Sequence, residues 1–132
     1  MIIADGTIFG GVLANEPVGL SVLFADLWRR RQVGAPAVVL AERLITERVP
    51  HRVERLRVWA AEGPGLGEDA DAWLAAGDFV ARLNGVGVPV SLIDGYLIAL
   101  CVREATQLWS LNPIFDQVSE HIPIDRFRPP GL

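Results

Sequence analysis

A chain of 132 residues is about one domain long and can bury a core of ordinary size. With 51% hydrophobic and 21% charged residues it is too apolar for disorder, and it is interrupted by charge too often for a membrane span, which needs about 18 or more uncharged apolar residues in a row. The net charge is -4 and all 12 basic residues are arginine, which argues against a nonspecific nucleic-acid coat but retains the side chain best suited to forked contact with phosphate. The N-terminus has no basic start, apolar stretch and small-residue cleavage site, so a cytoplasmic location without membrane attachment is the expectation. The single cysteine, Cys101, lies among Ile98, Ala99, Leu100 and Val102 and reads as a buried thiol.

Taken in chain order, Ile2 to Ala4 read as a short buried strand, and the glycines at 6, 10 and 11 suggest a turn after it. The apolar spacing from Pro17 to Arg31 predicts a helix whose last turn carries Arg29, Arg30 and Arg31, where positive charge meets the negative helix end. "GAPAVVLAERL" reads as a second buried strand running directly into a helix, which Pro50 interrupts or restarts. "HRVERLRVWAAEGPG" continues as an amphipathic helix, and "EGPGLGEDADA" is a short internal loop. "DADAWLAAGDFVARLNG" is a further helix, and a strongly apolar one starts near Ser91. "TQLWSLN" and "HIPID" read as the last strands, and "RPPGL" as a loop. Three or four strands alternating with helices predict a parallel sheet covered on both faces, within one domain spanning 1–132. In such sheets the functional crevice lies outside the carboxyl ends of the strands.

Asp5 stands at such an end. A carboxylate at the tip of an interior strand is costly to desolvate unless something pairs with it, although Asp-Gly is also a common turn pair. Thr7 can hydrogen-bond the same carboxylate. Glu42, with Ile45 and Val49 three and seven residues on, borders an apolar helix face and can point toward the same crevice, although a helical glutamate is more often solvated. Ser91 and Asp94 match the capping-box spacing, which accounts for the acid without any chemistry; the apolar helix behind it puts that first turn inside the protein. In "WSLNPIFDQV", Asn112 either starts a turn before Pro113 or offers a neutral oxygen at the crevice, with Asp116 following. Asp5, Glu42, Asp94 and Asn112 thus fall at successive element ends along one sheet edge, and oxygen ligands of this kind suit Mg2+ or Mn2+.

"IIADGT", "VVLAERL", "SLIDGYLIA" and "WSLNPIF", in that order and at those separations, resemble the four motif blocks of the PIN-domain family, especially the VapC-type toxins of toxin-antitoxin pairs, over essentially the whole chain. The resemblance implies a three-layer α/β/α sandwich with a central, mostly parallel sheet of four to five strands. It also implies a metal-dependent endoribonuclease in which Asp5, Glu42 and Asp94 hold Mg2+ (or Mn2+) and Asn112 orients metal-bound water, with Thr7 and Ser110 at accompanying hydroxyl positions. The implied partners are an RNA substrate, a cognate antitoxin that covers the acidic crevice, and a second copy of the chain in a homodimer formed around Val53 to Trp59. Arg43 and Arg48 would then guide the RNA backbone, against the plainer role of solvating a helix face. Asn112 stands where the family commonly has an aspartate, and Gly95 where it commonly has an alanine. The missing carboxylate sustains a rival reading, a catalytically weakened or inactive protein of this fold that acts as a binding partner.

His51 and His121 are too isolated for a zinc site, and "GTIFGG" lacks the lysine of a phosphate-binding loop. The four tryptophans lie at core spacings and are read as packing.

Overall fold

The computed structural model describes residues 1–64, 66 and 69–131. Gly65, Gly67 and Glu68 of the expected internal loop, and Leu132 of the tail, lie outside the described residues. In chain order the elements are β1 (Ile2–Ala4), α1 (Gly6–Ala14), α2 (Leu20–Arg29), β2 (Val33–Gly34), α3 (Ala37–Thr46), α4 (Pro50–Glu62), α5 (Ala70–Gly85), α6 (Leu92–Glu104), β3 (Gln107–Trp109), α7 (Ile114–Ser119) and β4 (Asp125–Arg126). The strands form one sheet in the order β2-β1-β3-β4. Every pairing is parallel, with Ile3 opposite Gly34 on one side and Leu108 on the other.

This corrects the expected three-layer α/β/α sandwich with a sheet of four to five strands. Among the described residues helices make up well over half and no strand exceeds three residues, so the sheet is a small parallel insert among the seven helices described. Two segments account for most of the difference. "AVVL" in 37–40 is the first turn of α3, with Val39 and Leu40 buried, because a short apolar run has no periodicity that separates a buried strand from a buried helix. The glycines at 6, 10 and 11 do not make a turn either. Asp5 caps α1 with its side chain, and Ile8, Phe9, Val12 and Leu13 give the helix a buried face that outweighs its glycine content.

The remaining boundaries follow ordinary chemistry. Pro50 starts α4 at a position where its missing N–H costs nothing, and Ser91 caps α6. α7, absent from the sequence expectations, carries only Phe115 and Val118 as buried residues. In the segment expected to dimerise, Leu56 and Trp59 of α4 are buried in the core and Val58 is exposed. Helix α1 packs on α2, α3 and β1; α3 packs on α4; α5 and α6 share the most extensive packing of any described helix pair, and α6 rests on β3. The buried side chains make one apolar cluster running from Ile2 to Ile122. Rings of Phe9, Trp28, Trp59 and Trp109 surround Phe24 at centroid distances of 5.3 to 6.2 Å, and Trp73 stacks on Tyr96 at 4.1 Å. The tryptophans therefore pack, as their spacing predicts. No helix among the described residues is long and apolar enough to cross a membrane.

Candidate functional site

The sheet order creates a switch point. From β1 the chain goes to β2 on one side and then returns past β1 to β3 on the other, so the carboxyl ends of β1 and β3 are the place where folds of this kind hold their ligands. Asp5 sits at that point, directly after β1, and its backbone N–H donates to Trp109 O at the end of β3 at 3.1 Å.

Asp5 is the only buried charged residue among those described, with 4% of its surface exposed. Its Oδ1 accepts from Thr7 N at 3.0 Å, from Thr7 Oγ1 at 2.5 Å and from Ile8 N at 3.3 Å. Its Oδ2 accepts from the Ser110 hydroxyl. Both hydroxyls also accept from the loop after β3: Leu111 N donates to Thr7 Oγ1 at 2.8 Å, and Asn112 N donates to Ser110 Oγ at 2.9 Å. Burial pushes the Asp5 carboxyl above its ordinary value of 3.8, opposed by the hydrogen bonds from Ser110, Thr7 and Ile8. One carboxylate thus starts α1 and ties the β3–α7 loop to it.

The other expected site residues are placed as follows. Asp94, in the first turn of α6, is half-buried, and its backbone N–H donates to Ser91 Oγ at 3.1 Å. The capping reading is therefore correct for its backbone. Desolvation raises the Asp94 carboxyl above the ordinary value, against hydrogen bonding from Ser91. Glu42 is exposed on α3. Asn112 makes a turn into α7, its Oδ1 accepting from Ile114 N at 3.0 Å. Asp116 is held by two arginines: Arg126 Nη1 at 3.2 Å and Arg128 Nη2 at 2.8 Å both donate to its Oδ1. The structure thus brings Asp5, Thr7, Ser110 and Asn112 into one hydrogen-bonded group.

The donor set, all oxygen, has the chemistry that Mg2+ or Mn2+ prefers. Its arrangement does not make a cage, since no group of three or more His, Cys, Asp and Glu side chains among the described residues could hold a metal ion.

The basic residues divide. Arg29 and Arg30 pair with Asp26 at 2.8 and 3.2 Å, and Arg48 donates to the Ile45 and Glu47 carbonyls. Arg43 lies across the glycine face of α1: a Cβ on Gly10 would come within 3.1 Å of its guanidinium carbon, and one on Gly6 within 3.6 Å of its Cδ. These are packing and helix-end roles. The sequence reading passed over Arg126 and Arg128, although their spacing of two along an extended segment puts both on one side of the chain. Cys101 is buried and its thiol is pushed up to about 11 by desolvation, as expected for a packed cysteine.

No family model matches the chain, and none of the curated proteins compared with it matches either. A chain of the crystal structure of VapBC2 from Rickettsia felis bound to a DNA fragment from their promoter is similar in structure, with a TM-score of 0.72 and 15% sequence identity over 97% of this chain and 98% of that one. At that identity the likeness is one of fold.

Proposed function

We propose that this protein is the toxin of a toxin-antitoxin pair, an endoribonuclease of the VapC type that cleaves RNA phosphodiester bonds. The observation that carries the reading is the buried Asp5 carboxylate at the carboxyl ends of β1 and β3, where α/β folds bind their ligands. The similarity in fold to a chain of a VapBC2 complex supports it. On this reading Asp5 and Asp94 are the acids on which cleavage depends, and the partners are RNA, a cognate antitoxin and a second copy of the chain. The described geometry holds no three-acid group, so cation binding is tested separately from cleavage.

The rival, a protein that has lost catalysis and acts as a binding partner, draws on two observations. Asp5 already has both oxygens hydrogen-bonded, and Asn112 turns its side-chain oxygen to Ile114 N. Purified protein incubated with RNA and Mg2+ discriminates the two. The enzyme cleaves, and Asp94→Asn slows cleavage by at least about 100-fold while relieving toxicity on expression. A calorimetric titration with Mg2+ or Mn2+ gives saturable binding that Asp5→Ala abolishes. Intact RNA and a flat titration would establish the rival.

A further inference from the structure

Ser110 forms a wall shared by two sites. On one side it donates to Asp5; on the other it lines a cavity of about 340 Å3 together with Asn112, Asp116, Arg126 and Arg128. The charges in this cavity do not balance. A single carboxylate oxygen, Asp116 Oδ1, accepts from both Arg126 and Arg128, which leaves one positive charge over at this spot of a chain whose formal charge is -4.

Exposure shows where that charge is available. The Arg126 side chain is 11% exposed, with its guanidinium 5.7 Å from the centre of the Phe115 ring, so it is fixed in place. Arg128 and Asp116 are 64% and 59% exposed and stand at the opening. Two guanidinium groups converging on one oxygen form a fork of the kind that matches a phosphate group, which offers several anionic oxygens where the carboxylate offers two. Asp116 is the counter-ion that both arginines share.

We propose that Arg126 and Arg128 form a phosphate subsite that holds the backbone of single-stranded RNA beside the Ser110–Asn112 wall, with Asp116 competing for the same arginines. The choice of RNA rests on the ribonuclease reading; the subsite itself rests on the charge and geometry of the cavity. It positions a strand whose neighbouring phosphodiester lies toward the Asp5 crevice.

The test is equilibrium binding of a fluorescently labelled single-stranded RNA to the full chain, followed by anisotropy with EDTA present so that cleavage does not intervene. Arg128→Ala, at an exposed position, weakens binding about fivefold near 0.1 M salt and lowers the slope of log affinity against log salt by about 0.7, the loss of one phosphate contact. Asp116→Asn strengthens binding. Unchanged affinity and slope in Arg128→Ala, or weaker binding in Asp116→Asn, overturns the subsite. Equal dependence of duplex DNA binding on Arg128 overturns the assignment to single-stranded RNA. Adding Mg2+ to the bound complex separates this idea from the one beneath it. RNA that binds through Arg128 and stays intact removes the ribonuclease reading and leaves the subsite standing, whereas cleavage that ignores Arg128 does the reverse.

Discussion

Asp5 illustrates how a buried acid can be satisfied without a counter-charge. Four donors reach its two oxygens, two from the backbone of the helix that it caps and two from hydroxyls, one of which comes from 105 residues away. Those donors favour the charged form, but desolvation outweighs them and the carboxyl remains raised above 3.8. The folded protein therefore binds this proton more tightly than the unfolded chain does. Its contribution to stability is fully present below the unfolded value and is lost as pH rises through the folded one. Asp5→Asn removes that titration, so the stability of the natural protein relative to this variant falls as pH climbs from about 3.8, then levels off. Thermal melts of both proteins from about pH 3.5 to about pH 8 measure it, and parallel curves would disprove it. Asp94, raised by desolvation as well, gives the same trend in Asp94→Asn. Sequence made Asp5 and Thr7 conspicuous because they stand two residues apart in "ADGT"; the closure by Ser110 needed the long-range pairing of β1 with β3.

Helices α5 and α6 turn on a glycine that the motif comparison marked as a departure. A Cβ at Gly95 would lie 2.7 Å from Ala76 O and 2.6 Å from Val80 Cγ2, so its absence lets the two helices approach until backbone meets backbone. In isolation alanine gains about 1 kcal/mol over glycine in a helix. Here overpacking against a carbonyl that cannot rotate away costs about 1–3 kcal/mol. Gly95→Ala is expected to lower stability by about 1 kcal/mol net, while Gly77→Ala, where nothing lies within 4 Å of the added carbon, raises it by about 0.5–1 kcal/mol. Urea midpoints of the two variants should move in opposite directions. Helix α6 was legible because Ser91 announces its start and its apolar run is long. The start of α3 and the whole of α1 were not, since each opens on residues whose local preferences, "AVVL" for a strand and "DG" for a turn, lost to burial of Val39 and Leu40 in one and Ile8 and Phe9 in the other.

Seen whole, the molecule hangs many helices on a sheet too small to organise them alone. Strands of two or three residues supply parallel register and the switch point, and the single apolar cluster supplies the cohesion. The alternation of strand and helix, and the crevice it implies, could be read from the order of apolar runs. The proportion of helix could not, because short runs carry no period. The convergence of acids depends on side-chain directions that linear order does not encode, and Glu42 ended exposed. Whether α5 and α6 belong to the same cooperative unit as the rest follows from that cluster. Trp28, Trp59 and Trp109 report on the rings around Phe24, whereas Trp73 reports on its stacking with Tyr96 between α5 and α6. In Trp73→Phe, tryptophan fluorescence follows only the first region, but far-UV circular dichroism still follows every helix. Because Tyr96, Leu97, Ile98 and Leu100 of α6 are buried in the same cluster as Ile3 and Leu108 of the sheet, separating the pair would expose apolar surface on both sides at once. The two signals should therefore fall at one urea midpoint, with a slope of about 1–3 kcal/mol per molar urea; a circular dichroism loss that precedes the fluorescence change would mean that the α5–α6 pair opens by itself.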